Sequence, residues 1–322
     1  MGKQEVGWGV IGSTGWADTT FGPAIAGADG STLRAVLSST QEKADAFCEK
    51  HEVAKGYCDL DAFLRDDSVE AVWIASANHL HAPQTIAALK AGKHVLCEKP
   101  MAITPAECEA MIKASQSANR LLGIGYHLRH HGLLQELRQE FKSGALGKPV
   151  FARAQLYFAY PSPPAEWRQK RATSGGWALG DIATHLIDLC RWFLGDVESV
   201  HGMLTNRRFG FETEDHAVLT LRFKEGVAAV ADASTGAPGL ARFEVYCTEG
   251  FFVCENAFFG HGGLVTRGRI GAQPHVSGSP NVNPYRNQVE CFTRATRGEC
   301  EFPATGIDGV ENVKIMQAVR GY

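Results

Sequence analysis

Two patterns of apolar and polar positions divide this chain. Through residue 125, short apolar runs alternate with amphipathic stretches of about 10 to 15 residues. The runs at 5–11, 32–37, 71–76, 95–97 and 121–125 predict strands. The stretches that follow Gly12 toward Ala28, and those at 40–49, 82–91 and 104–117, predict helices, with Pro83 expected to start the third. The last of them opens Thr104-Pro105-Ala106-Glu107, a capping box with proline at the first helical position. Strands alternating with helices point to a parallel, doubly wound sheet whose strand ends share one edge.

Beyond residue 125 the rhythm changes. An amphipathic helix is predicted at 133–142 and a strand at 150–158. Pro161, Pro163 and Pro164 mark a loop, and a long helix is predicted at 177–194. Strands then follow without intervening helices, at 200–205, 217–223, 227–233, 243–247 and 251–255. That succession predicts a mostly antiparallel sheet with one open face. Residues 260–284, rich in Gly, Pro, Ser and Asn, read as loop, and 285–296 and 309–319 as helices. The expected fold is α/β, with an N-terminal doubly wound domain over 1–126 and a second α/β domain over 127–322. The open sheet face leaves either a monomer or a homo-oligomer joined through that sheet.

Composition narrows the function classes. A chain of 322 residues, 44% hydrophobic and 21% charged, fits a two-domain globular protein. A formal charge of −3 offers no footprint for nucleic acid or an anionic membrane. No apolar run approaches the ~20 residues of a membrane span, and the N-terminus enters a strand without a signal peptide. Nine cysteines without a C-x-x-C pair suggest reduced thiols in a cytoplasmic setting.

Candidate chemistry sits at the predicted strand ends. Gly12, Ser13, Thr14, Gly15, Trp16 and Ala17 follow the first strand and open a helix, the setting of a dinucleotide fingerprint G-x-G-x-x-G/A. Gly12 fills the tight-turn position and Ala17 the close-packing one. Thr14 replaces the glycine that faces the pyrophosphate, so an ordinary strand-to-helix turn stays open. The second strand ends in Ser38, Ser39 and Thr40, with Lys43 one turn on. With no carboxylate there to repel a 2′-phosphate, the cofactor reads as NADP(H) ahead of NAD(H). Thr40 also reads as a helix cap. Asn78 and His81 follow the 71–76 strand, either near the cofactor's nicotinamide half or as turn residues, and His79 and His81 lack a third partner spaced for metal. The stretch 91–100, AGKHVLCEKP, places Glu98 and Lys99 at a strand end, where open α/β sheets bind ligands. Pro100 restricts Lys99 to an extended backbone and permits a cis bond. Lys99 is therefore either an exposed lysine or an aimed amine.

In the second half, His127, His130 and His131 read as a cleft rim followed by a solvated helix start in preference to a metal cluster. Asp181 and His185 are spaced i, i+4 on the predicted helix and Asp188 lies three further on. A carboxylate one turn from a histidine suits a proton donor near neutral pH, and a helix-surface ion pair fits the same spacing. Arg129, Trp167 and Arg168 are candidates for a substrate wall. Trp167 reads equally as a sugar-stacking ring or a core residue.

VIGSTGWA, AGKHVLCEKP and SGGWALGDIATHLID together resemble the Gfo/Idh/MocA family (glucose–fructose oxidoreductase, inositol dehydrogenase and MocA) over nearly the whole chain. The resemblance implies an N-terminal Rossmann domain and a C-terminal domain on an open antiparallel sheet. It implies hydride exchange between a nicotinamide cofactor and a carbonyl or hydroxyl carbon of a carbohydrate-like substrate. Lys99, Asp181 and His185 match its catalytic positions. Thr14 departs from it in the second glycine slot of the turn, and Trp177, where many members have a third glycine, departs at the start of the substrate helix. Readings as an NADP-dependent sugar or dihydrodiol dehydrogenase, or as a non-catalytic NADP-binding regulator, remain alternatives.

Overall fold

The computed structural model describes residues 5–160, 163–256, 258, 263–278 and 283–321. Pro161 and parts of the predicted 260–284 loop lie outside these residues. The chain forms two units. One runs to His127 and takes up Tyr285–Val310 as well; the other holds Leu128–Pro284 and the chain from Glu311 on.

The first unit is built on six parallel strands: β1 (Val6–Ile11), β2 (Ser31–Leu37), β3 (Lys55–Tyr57), β4 (Ala71–Ile74), β5 (His94–Cys97) and β6 (Leu122–Ile124). Their order, β3-β2-β1-β4-β5-β6, is that of a Rossmann sheet. All six residues of β1 are buried, as a central strand covered on both faces requires. Three details differ from expectation. Edge strand β3, with the short helix Leu60–Leu64 after it, carries no apolar run to announce it. The helix after the glycine turn starts as a π turn, Ala17–Phe21, and ends at Ala26. Pro83 does not start its helix but sits inside Asn78–Lys90; a proline there forgoes only one backbone bond, to the carbonyl four residues earlier. The capping box forms as expected: Glu107 N–H donates to Thr104 Oγ1 (3.3 Å) and Thr104 N–H to Glu107 Oε2 (2.9 Å).

Tyr285–Val310 completes this unit. Trp8 Nε1 donates to Thr293 Oγ1 at 3.1 Å, Phe292 packs on Trp8 and Phe302, and Ile124 N–H donates to the Ala304 carbonyl at 2.8 Å.

The second unit is an eight-stranded sheet: β7 (Pro149–Tyr157), β8 (Val197–Thr205), β9 (His216–Phe223), β10 (Ala228–Ser234), β11 (Leu240–Cys247), β12 (Gly250–Glu255), β13 (Leu264–Arg269) and β14 (His275–Gly278). The order is β14-β13-β12-β11-β7-β10-β9-β8, antiparallel except where β7 and β10 run together. Strands β13 and β14 correct the loop expected at 260–284; their small and polar residues, at a sheet edge, lack a long apolar run. The long helix expected at 177–194 is a π turn, Ala178–Ala183, leading into the α-helix Thr184–Leu194, which packs on β7 and β10. Among the described residues, no helix is long and apolar enough to cross a membrane.

Candidate active site

The edge of the first sheet gathers one group of predicted residues. Gly12, where β1 ends, has φ +113°, and a Cβ there would lie 2.9 Å from the Ala75 carbonyl oxygen. Only glycine lets this turn pass so close to the end of β4. Thr14, Gly15 and Trp16 are exposed on the turn, while Ala17 is buried as the close-packing position demands. Ser13 Oγ lies 2.5 Å from Ser38 Oγ, tying the turn to the end of β2. Thr40 Oγ1 accepts from Lys43 N–H, and Lys43 Nζ donates to Ser39 Oγ at 3.3 Å. Two hydroxyls and an ammonium thus stand together at the end of β2, beside a turn that fits a dinucleotide's diphosphate.

At the ends of β4 and β5 the side chains are more committed than the sequence implied. Asn78 is buried as the first residue of its helix. His81 is buried, with Nδ1 2.8 Å from the Pro100 carbonyl oxygen and Nε2 3.2 Å from that of Ser76. It clamps the chain after Lys99 to the end of β4, a role in which its ring nitrogens serve the backbone. Glu98 Oε1 accepts from Trp73 Nε1 at 3.1 Å, and Glu98 Oε2 accepts from Lys99 N–H at 3.4 Å. Lys99 is half-buried and its bond to Pro100 is cis. Tyr285 also belongs here, although no motif marks it. Its ring stacks on His127 (4.4 Å) and leans on Trp16 (6.1 Å) and Phe21 (5.8 Å). Burial, and then the Glu98 carboxylate, push its phenol well above the ordinary value.

The second unit assembles the other group around the π turn. Arg168 Nε donates to Asp181 Oδ2 at 2.6 Å, and its guanidinium lies 4.0 Å from the centre of the Trp167 ring. Burial alone would lower the Arg168 pKa; the Asp181 carboxylate outweighs it and the guanidinium stays charged. Tyr160 faces the same carboxylate, and burial followed by Asp181 raises its phenol pKa. His185 is buried in the first turn of the helix Thr184–Leu194. Trp177 does not disturb the start of this element but anchors it: fully buried, it packs against Tyr160, Phe209 and Phe211.

Glu214 holds the turn from the other side. Its carboxylate accepts from Leu179 N–H at 2.9 Å and its backbone carbonyl from Ala178 N–H at 3.1 Å. A Cβ on Gly176 would stand 2.7 Å from Glu214 Oε1, which is why the glycine pair precedes the turn. Burial raises the Glu214 pKa.

Two expectations change. Arg129 is buried, and its Nε and Nη2 grip Asp188 at 2.9 and 2.7 Å; Asn312 Nδ2 also donates to Asp188 at 3.2 Å. Arg129 and Asp188 thus form a buried ion pair. His130 and His131, read as a cleft rim leading into a solvated helix start, are not solvated. Both are buried, and burial pushes their pKa values down to about 3 and about 4.

Comparison with known proteins bears on the family and the fold. Residues 6–126 match the oxidoreductase family with NAD-binding Rossmann fold, and residues 134–253 match the GFO/IDH/MocA C-terminal domain. The chain is 32% identical over 319 residues to 1,5-anhydro-D-fructose reductase of Ensifer adhaerens, covering 97% of this chain and 94% of that one. It is 27% identical over 320 residues to D-xylose 1-dehydrogenase (NADP(+)) 2 of Haloferax volcanii, covering 97% and 94%. The crystal structure of aldose–aldose oxidoreductase from Caulobacter crescentus, in complex with glycerol, superposes with a TM-score of 0.91 at 28% identity, covering 99% and 97%. The chain belongs to the Gfo/Idh/MocA family of oxidoreductases, enzymes that pair a nicotinamide-binding Rossmann domain with a second α/β domain.

Proposed function

We propose that this protein is an NADP(H)-dependent oxidoreductase acting on a sugar or sugar-derived substrate at a carbonyl or hydroxyl carbon, with 1,5-anhydro-D-fructose reduction the first reaction to test. The observation that carries the substrate class is the Arg168–Asp181 pair backed by the Trp167 ring. It offers a donor, an acceptor and a flat apolar face together, a set suited to the hydroxyls and ring of a carbohydrate. The preference for NADP(H) rests on Ser38, Ser39 and Lys43 at the end of β2.

When bound, the nicotinamide supplies or takes up the hydride. The glycine turn at Gly12 admits the diphosphate, and the Ser38–Lys43 group receives the 2′-phosphate. In the reducing direction, His185 gives a proton to the oxygen of the reacting carbon. Lys99 polarises that oxygen through its ammonium. Asp181, held by Arg168, accepts from a substrate hydroxyl and fixes the orientation.

The test is a panel of carbonyl sugars with NADPH, followed by loss of the reduced nicotinamide absorbance. Turnover is expected on at least one member. In His185→Ala, kcat should fall by about 10²- to 10⁴-fold while NADPH binding is unchanged. Tight NADPH binding without turnover on any member, in either direction, would overturn the proposal in favour of a non-catalytic NADP-binding role.

A further inference from the structure

The helix Pro284–Thr296 ends in a tight reversal. Arg297 N–H donates to the Arg294 carbonyl, Gly298 N–H to that of Ala295 and Glu299 N–H again to that of Arg294, with Gly298 at φ +70°. The Arg294 and Glu299 side chains pair at 3.9 Å. This turn brings Cys300 back along the helix beside Cys291. Cys300 Sγ lies 3.6 Å from the Cys291 carbonyl oxygen and Cys291 Sγ lies 4.0 Å from that of Glu301, so the two side chains are neighbours.

We propose that Cys291 and Cys300 form a reversible thiol-oxidation site, joined as a disulfide by two-electron oxidants such as hydrogen peroxide. Both residues are half-buried, so an oxidant can reach them, whereas Cys97, Cys108, Cys190 and Cys254 are buried. Burial, and then the adjacent Cys300, raise the Cys291 thiol pKa; in the proposed sequence Cys300 is the first nucleophile. Its thiolate attacks one peroxide oxygen and the O–O bond breaks. Cys300 becomes a sulfenic acid and, once protonated, the other oxygen leaves as water. The Cys291 sulfur then attacks the Cys300 sulfur, an S–S bond forms, and the sulfenic hydroxyl leaves with the Cys291 proton as a second water. Two thiols are oxidised and one peroxide is reduced to two waters. The bond closes the turn and staples the end of the helix to the segment that runs on to Ala304.

Peptide mapping of the full chain tests this. Trypsin separates Cys291, in residues 287–294, from Cys300, in residues 298–314. After mild peroxide treatment and alkylation of remaining thiols, the two peptides should appear joined, lighter by two hydrogens, and dithiothreitol should release them. Cys300→Ser should abolish the joined species and Cys58→Ser should leave it intact. Thermal melts of the reduced variants check that each is folded. Peroxide that leaves both thiols alkylatable, carries one of them to sulfinic or sulfonic acid, or links either to a different cysteine would overturn the proposal.

Discussion

At the residue scale, the proposed preference for NADP(H) turns on Ser38. Its hydroxyl is 2.5 Å from that of Ser13 and its neighbour Ser39 accepts from Lys43. On that proposal, a carboxylate at 38 would stand where the 2′-phosphate of NADP binds, and it would accept hydrogen bonds from the free ribose hydroxyls of NAD. Ser38→Asp is expected to raise the KM for NADPH about tenfold or more, each factor of ten being ~1.4 kcal/mol, while improving use of NADH. The ratio of kcat/KM for the two cofactors measures it, and an unchanged ratio would remove Ser38 from this role. The tight turn at Gly12 was legible in the sequence because its neighbours along the chain define it. Arg129 was not, because the carboxylate that claims it lies 59 positions on. His131 was misread for a related reason: a run of polar residues looks solvated, and only the packed fold shows that this one is buried.

At the scale of the element, the informative piece is the π turn Ala178–Ala183 with Glu214 against it. The apolar periodicity runs unbroken from Trp177 to Leu194, so the sequence supports one regular helix and gives no sign of the wide turn at its start. The glycine pair was visible, but its reason was not, since it depends on the Glu214 carboxylate, which lies far along the chain. Gly176 has φ +119° and no room for a Cβ beside Glu214 Oε1. Gly176→Ala should therefore cost about 1–3 kcal/mol in strain and displace the carboxylate from Leu179 N–H. Because Asp181 rides on this turn, the KM for the sugar should rise while the Kd for NADPH stays put. Glu214→Gln keeps an acceptor for Leu179 N–H and is expected to stay within a few-fold of the parent KM. Thermal melts and separate cofactor and sugar titrations distinguish these effects. Equal losses in both affinities would show that Gly176→Ala loosens the whole chain and not this turn.

For the molecule as a whole, both sheets were legible as classes, because helix-strand alternation and strand-strand succession are properties of long stretches. The path of the chain between them was not. An amphipathic pattern at 285–296 says that one face is buried, without saying against which sheet, and a single boundary near residue 126 is the simplest division the pattern allows. In the structure, 285–310 closes the first unit: Phe292 covers Trp8 and Phe302, Thr293 bonds both Trp8 Nε1 and Ser31 Oγ, and Tyr285 stacks on His127. A fragment of residues 1–127 would bare these rings and leave the Trp8 indole N–H without its partner, a combination of lost apolar burial and an unsatisfied donor. It is expected to melt without a cooperative transition and to show weak near-ultraviolet circular dichroism, the behaviour of a loosely packed sheet. Joining 285–310 to its end through a flexible Gly/Ser linker should restore a cooperative melt and NADPH binding, because the linker replaces only the excursion through the second unit. If the 1–127 fragment alone melts as sharply as the rejoined chain and binds NADPH as tightly, the returning segment is an accessory to the first unit and not part of its core.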